Sequence, residues 1–349
     1  MNIAIDITPL SGGHGRRGVG RYTKNLIDAL QKYESHHSYS LFTRKQKVPD
    51  NADMVHYPYF DPFFLTLPLV KRKPTVVTVH DLIPLVFPDK FPAGLRGAIK
   101  WQVQRLSLRG AKRIIADSNS SKNDIVRILG IKKEIIDMVY LAPDPAYHPV
   151  TDPAALDGAR TKFSLPKQYI LYVGDVNWNK NVIGLLRAFA TLRKQKELLQ
   201  FKLVLVGRAF LQDSLAQTQE INQFIHDHDL EHVVTCTGNV PVSDLAAFYS
   251  LASVYVQPSH YEGFGLPVLE AFACGCPVVS SNASSLKEIA GPAILVSPSP
   301  DDLVGGILRA LSTDREAQAA RQFEWVKRFT WKRTAKETVL SYEKVLGTL

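Results

Sequence analysis

The chain has 349 residues, 45% of them hydrophobic and 21% charged, with a net charge of +9. That length exceeds what one ordinary core accommodates and predicts two domains, and the composition excludes a disordered or fibrous chain. The charge is one-sided: residues 1–150 hold 22 Lys and Arg against 13 Asp and Glu, whereas residues 151–349 hold 20 of each.

Such an excess attracts nucleic acid, an anionic membrane surface or a phosphorylated acceptor, or it forms an ordinary solvated basic face. No nucleic-acid motif accompanies it, so nucleic acid is set aside. Asp61, Pro62 and Pro68 interrupt the longest apolar stretch, Phe60 to Val70, and exclude a membrane span there. Asp6 falls inside the first apolar run, which does not read as a secretory signal, and the expectation is a cytoplasmic protein, peripheral to the membrane if bound to it at all. Cys236, Cys274 and Cys276 lack paired metal-ligand spacing, so neither a disulfide framework nor a zinc site is expected.

Asn2 to Ile7 predicts a buried strand, followed by a glycine-rich loop from Gly12 to Gly20 and a helical pattern through Tyr22, Leu26 and Leu30. The loop is not a dinucleotide fingerprint. Thr23 stands where a glycine or alanine is wanted, and Thr43-Arg44 stand where the acid after the second strand belongs. Apolar runs at Met54–His56, Val76–His80 and Arg113–Asp117 then alternate with helical stretches, as in a parallel α/β sheet. His80-Asp81 close one of those strands. Between them, Leu95, Ile99, Val103 and Leu106 share one face of a helix flanked by Arg96, Lys100, Arg105 and Arg109. A helix resting on anionic lipid and a core-facing helix with solvated charges both fit this pattern, and both readings stay open.

Pro143, Pro145, Pro149 and Pro153 interrupt the rhythm and place a linker between there and Pro166. Strands follow at Tyr169–Gly174, Lys202–Gly207, Val233–Thr237 and Ser253–Gln257, with a helix near Val182–Leu198, so the second domain is also α/β. In open α/β sheets ligands sit beyond the carboxyl ends of strands, which directs attention to the loops after these runs. The most informative is Glu262-Gly-Phe-Gly-Leu-Pro-Val-Leu-Glu270-Ala, a glycine loop entering a helix whose first turn holds Pro267. Exposed N–H groups and the positive dipole end make that helix start an anion site fit for a pyrophosphate. Glu262 and Glu270 suit paired hydroxyls of a sugar or ribose rather than the phosphate.

This string resembles the retaining glycosyltransferases of family 4, which have the GT-B fold of two Rossmann-like domains with parallel sheets facing a central cleft. The run Ala273 to Val279, the segments Tyr172-Val-Gly174 with Lys180-Asn181, Leu205-Val-Gly-Arg208 and Thr237-Gly-Asn-Val240, and the tail from Phe329 are similar to the family as well. The resemblance implies an acceptor domain over residues 1–163, a donor domain over 164–330, and a final helix, 331–349, crossing back. It implies that Glu262 holds donor-sugar hydroxyls, Glu270 the ribose, and the backbone of Gly263, Phe264, Gly265 and Leu266 the sugar and phosphates. Lys180 and Arg208 are then the phosphate cations, Gly238 and Val240 meet the base, and His80, with Asp81, contacts the donor sugar. Gly18 and Gly20 belong to the glycine loop near the reaction centre.

The implied reaction is retaining and metal-independent, with the nucleotide sugar as co-substrate and no cofactor. Gly18-Val-Gly-Arg-Tyr22 together with His80-Asp-Leu-Ile-Pro84 looks most like bacterial mannosyltransferases of surface polysaccharides. That implies GDP-mannose and a saccharide or lipid-linked saccharide acceptor, with a UDP-sugar as the alternative donor. Asp175 departs from the family, in which arginine commonly follows the strand glycine. It is the one feature that favours a non-catalytic nucleotide-sugar-binding subunit.

Overall fold

The computed structural model describes residues 1–11 and 18–347. The chain divides into two compact units, Met1–Ala142 with Phe329–Leu349, and Pro143–Arg328. In the first, β1 (Asn2–Asp6), β2 (Ser38–Phe42), β3 (Met54–Tyr57), β4 (Thr75–Val79), β5 (Arg113–Ala116) and β6 (Ile136–Met138) form a parallel sheet in the order β2-β1-β3-β4-β5-β6. β1, β3, β4 and β5 are almost wholly buried, as parallel strands covered on both faces must be. β2 and β6, at the edges, are mixed in exposure and carry no continuous apolar run.

The helix Gly18–Tyr33 begins at Gly18, so Gly18 and Gly20 stand in its first turn rather than in the preceding loop, and Gly20 is buried. The remainder of that loop, residues 12–17, lies outside the described residues. Tyr22, Leu26, Ile27 and Leu30 form the buried stripe of this helix, which packs against the last helix, Trp331–Leu346. A buried polar chain secures that helix to the sheet. Tyr342 Oη lies 2.7 Å from His56 Nδ1, His56 Nε2 2.8 Å from Thr78 Oγ1, and Thr78 Oγ1 3.1 Å from Tyr22 Oη.

In the second unit, β7 (Tyr169–Val173), β8 (Lys202–Val206), β9 (Val234–Cys236), β10 (Val254–Gln257), β11 (Val278–Ser281) and β12 (Ile294–Val296) are parallel in the order β12-β11-β10-β7-β8-β9. The helices Val182–Leu192 and Pro300–Ser312 supply Leu185, Phe189, Leu303 and Ile307 to its core. The predicted helix running to Leu198 ends at Leu192, and a short 3-10 turn, Lys196–Leu198, follows. After β9 the chain crosses to the other side of β7, so the strand order reverses between β7 and β10. Ligands of open α/β sheets bind outside the carboxyl ends of strands at such a reversal.

The segment 143–163, assigned above to the first domain, groups with the second. Its helix Pro153–Phe163 packs on the helix Val242–Leu251, where the rings of Phe163 and Phe248 meet edge to face at 5.0 Å and Lys162 pairs with Asp244 at 2.8 Å.

Burial lowers the His56 pKa from 6.5 to about 3. The unfolded chain therefore binds the proton first, and the contribution of neutral His56 to stability is lost as pH falls from about 6.5 towards 3, at up to about 1.4 kcal/mol per pH unit. Thermal unfolding of the full chain across that range should show a steeper acid loss for wild type than for His56→Gln; equal slopes would contradict the assignment.

Candidate active site

In the second unit the loops that follow β7 and β10 are joined to each other. After β7, Gly174 leads to a 3-10 turn, Trp178–Lys180, and then to Asn181, which adopts a left-handed conformation at φ 54°. Asn181 Nδ2 donates to Pro258 O at 2.9 Å and to Pro298 O at 2.8 Å, His260 N donates to Asn179 O at 2.8 Å, and the Trp178 and His260 rings stack at 4.9 Å. These bonds carry Lys180 to Glu262.

Glu262 is 7% exposed, and a carboxylate so placed must be supplied with donors. Lys180 Nζ donates to both its oxygens at 2.8 Å, while Oε1 also accepts from Gln257 Nε2 at 3.0 Å and Ser259 Oγ at 2.8 Å. The Glu262 N–H donates to Ser284 Oγ at 2.7 Å, and Ser285 Oγ donates to the carbonyls of Glu262 and Phe264 at 2.9 and 2.8 Å. The loop 262–265 is thereby held from below by the hydroxyls that follow β11.

The helix Leu266–Ala273 starts directly from this loop, with Pro267 in its first turn as the sequence predicts. Gly265 precedes it at φ 114°, and a Cβ there would lie 2.6 Å from Leu286 Cδ2, so only glycine fits. Glu270 is buried on this helix and accepts from Tyr249 Oη at 3.0 Å. Burial first, then the charge of Glu270, drives the Tyr249 pKa well above 10, so Tyr249 stays a hydrogen-bond donor.

Gly174, Gly207 and Gly238 lie next to one another where β7, β8 and β9 end. Gly174 N donates to Val206 O at 2.9 Å and Gly207 N to Gly238 O at 3.0 Å, and a Cβ on Gly207 would fall 2.0 Å from Gly174 O. Arg208 follows Gly207, exposed and without an ion pair among the described residues; Val240 is buried beyond Gly238. The carboxylate of Asp175, the departure noted above, accepts from its neighbour's amide, Val176 N, at 2.8 Å, and its own carbonyl accepts from Tyr172 Oη at 2.7 Å. Lys180 is thus bound to a carboxylate here, whereas Arg208 remains in solvent.

In the first unit, the register Val79↔Ala116 sets His80 beside Asp117 at the ends of β4 and β5. His80 Nδ1 lies 2.5 Å from Asp117 Oδ2 and Nε2 lies 3.1 Å from Pro58 O, while the Tyr22 ring stands edge-on at 4.7 Å. Both partners are acceptors, so the geometry favours a proton on each ring nitrogen. Burial works against that charge, but Asp117, Asp81 and the Pro58 carbonyl outweigh it and raise the pKa above 6.5. Asp81 turns its own carboxylate to Ile83 N at 3.0 Å, capping the turn that follows.

Two family models match this chain: Glycosyltransferase Family 4 over residues 44–147 and Glycosyl transferases group 1 over residues 158–324. The O-antigen chain mannosyltransferase B of Escherichia coli is 32% identical over 364 aligned positions, which cover 98% of this chain and 92% of that protein. The chain is a family 4 glycosyltransferase. Its fold is GT-B. Sucrose-phosphate synthase from Thermosynechococcus elongatus superposes with a TM-score of 0.77 at 20% identity over the whole of both chains. Anabaena Alr3699/HepE, in complex with UDP and glucose, does so at 0.73 and 18%, over 100% of this chain and 99% of its own.

Sequence reasoning missed several residues that build this glycosyltransferase's polar sites. Asp117 could have been found from two neighbouring apolar runs that end in His80 and in Asp117. Ser284 and Ser285 stand in the polar run Ser280 to Ser285 immediately after an apolar pair, but nothing local tells which backbone such hydroxyls will meet.

The raised His80 pKa stabilises the fold fully below pH 6.5, and this contribution is lost as pH rises through the raised value. Asp117→Asn removes the main opposition to burial, so ring NMR should show His80 titrating at a lower pH than in wild type. An unchanged titration would contradict the pairing.

Proposed function

We propose that this glycosyltransferase moves mannose from GDP-mannose to a saccharide or lipid-linked saccharide, with retention of configuration, in the synthesis of a surface polysaccharide. The observation that carries the reading is the pair of buried Glu262 with half-buried Lys180 beside the glycine-lined start of the helix Leu266–Ala273. It offers acceptors for sugar hydroxyls and donors for a diphosphate within one loop pair. The mannosyl assignment draws on the similarity to the O-antigen chain mannosyltransferase B.

In this reading the Glu262 carboxylate takes hydroxyls of the sugar, and Lys180 turns to the diphosphate together with Arg208 and the amides of Gly263, Phe264, Gly265 and Leu266. Glu270 takes the ribose hydroxyls, and the backbone at Gly238 and Val240 meets the base. His80 is assigned to the transferred sugar, its Nε2 turning from the Pro58 carbonyl to a sugar hydroxyl while Asp117 orients the ring, and Gly18, Gly20 and Asp81 shape its surroundings. The bond from the anomeric carbon to the phosphate oxygen breaks as a bond to the acceptor oxygen forms on the same face. The acceptor proton passes to the departing phosphate, leaving GDP and the glycoside. Lys180 and Arg208 oppose the charge that grows on the diphosphate, so neither a metal nor a cofactor is called for in this scheme.

Thermal unfolding with GDP, UDP and ADP, each with and without chelator, tests the donor assignment. A ligand at about 100 times its Kd stabilises the native state by about 2.7 kcal/mol. GDP should raise the midpoint by an amount of that order, with or without chelator, and Glu270→Ala should lose the shift. A shift with UDP alone would replace GDP-mannose by a UDP-sugar, and no shift with any of the three would remove the donor site from this loop.

A further inference from the structure

The helix Gly94–Arg109 turns the wrong face inward for an ordinary surface helix. Its buried residues are Gly97, Gln104, Ser107 and Leu108, whereas Leu95, Ile99 and Leu106 are 80%, 59% and 65% exposed. The sequence reading left two orientations open for this apolar face, and the structure turns it to solvent.

The inward face is fixed by hydrogen bonds to the segment 61–71. Gln104 Oε1 accepts from Thr66 N at 2.9 Å, Thr66 Oγ1 at 2.8 Å and Leu67 N at 3.1 Å, and Gln104 Nε2 returns a bond to Leu67 O at 3.3 Å. Ser107 Oγ donates to Pro68 O at 2.6 Å, and Lys71 Nζ donates to Ser107 Oγ at 2.8 Å. Rotating the helix to bury its leucines would leave these groups without partners in the interior, at a cost that keeps the apolar face outside.

The same segment presents Phe64, Leu65, Leu69 and Val70, which are 62%, 55%, 57% and 76% exposed. Lys100 Nζ lies over the Phe64 ring at 5.3 Å, joining the two surfaces into one. Seven of the fourteen large hydrophobic side chains exposed among the described residues belong to this one surface. Residues 61–73 and 94–112, which form it, contain eight Lys and Arg (Lys71, Arg72, Lys73, Arg96, Lys100, Arg105, Arg109 and Lys112) and one acid, Asp61, whose carboxylate accepts from Phe63 N at 2.7 Å, Phe64 N at 3.1 Å and Tyr59 Oη at 2.9 Å.

We propose that this surface docks the enzyme on an anionic lipid bilayer, with Phe64, Leu65, Leu69, Val70, Leu95, Ile99 and Leu106 entering the interface and the surrounding cations meeting the lipid phosphates. Apolar side chains ringed by Lys and Arg suit the boundary between acyl chains and anionic headgroups. A second copy of the chain is a poor occupant, because a two-fold contact through this surface would set its ring of cations against an identical ring. The docking does not depend on the donor assignment. It accounts for much of the basic excess in the first half of the sequence.

The test is flotation of the full chain with vesicles of phosphatidylcholine alone and of phosphatidylcholine with phosphatidylglycerol, at low and high salt. Wild type should float with the anionic vesicles and release as salt rises. The triple variant Leu95→Ser, Ile99→Ser, Leu106→Ser and the charge variant Arg72→Glu, Arg96→Glu, Lys100→Glu should each lose at least about tenfold in partitioning. Both should keep the thermal midpoint and nucleotide response of wild type, which separates lost docking from lost fold or lost donor binding. Failure of wild type to float with anionic vesicles, or equal flotation of all three proteins, would overturn the proposal. So would sedimentation showing a wild-type dimer that the triple variant dissolves while vesicles capture neither protein.

Discussion

A carboxylate taken out of water must be given partners, and Glu262 is the point at which this requirement organises the second unit. Its oxygens draw in Lys180 from the loop after β7 and Gln257 and Ser259 from the strand and loop just before it. Gln257 is positioned in turn by Tyr255 Oη, whose pKa burial drives far upward, so the phenol remains a donor. Removing any member strands another in a region of low dielectric, where isolated polar groups are costly. The same network therefore places a cation and an acid side by side and keeps the intervening glycine loop in one shape. In the proposed reading that pairing suits a ligand with a charged diphosphate and a neutral sugar, each half of which would exchange with one half of the ion pair.

The first unit meets a comparable demand differently. The His80 ring is held between two acceptors, and its backbone carbonyl is held by Ser121 Oγ at 2.8 Å. Tyr22 links this group to the interior chain Thr78, His56 and Tyr342, so the last helix of the polypeptide supports the strand end that carries His80. Residues far apart in sequence, 56 and 342, are thus joined because a buried imidazole needs a partner at each nitrogen. The terminal helix is part of this scaffold rather than an appendage.

Central strands were legible because burial on both faces demands unbroken apolar runs: β1, β3, β4 and β5 in one sheet and β7, β8 and β10 in the other. The edge strands β6 and β12 escaped notice because half-exposed backbone does not demand such runs, β2 was located only by its end at Thr43, and β11 was missed because serines fill half of it. The string from Glu262 to Glu270 could be read from sequence since its residues act locally, as a loop and the helix it starts. Gln257, Ser259, Ser284 and Ser285 could not, because their roles exist only once neighbouring strands and loops come into register. The helix Gly94–Arg109 marks a different limit. Periodicity located its apolar face, but the direction of that face was set by Gln104 and Ser107, whose partners lie about 40 residues earlier.

The exchange of partners at Glu262 and Lys180 is most directly tested by calorimetric binding of GDP and of GDP-mannose to wild type and Glu262→Gln. If the acid serves the sugar and the lysine the diphosphate, the glutamine variant frees Lys180. It should then bind GDP at least as tightly as wild type, while GDP-mannose loses its advantage over GDP. Equal weakening of both ligands would contradict the account, because Glu262 would then act by holding the loop in shape and not by meeting the sugar.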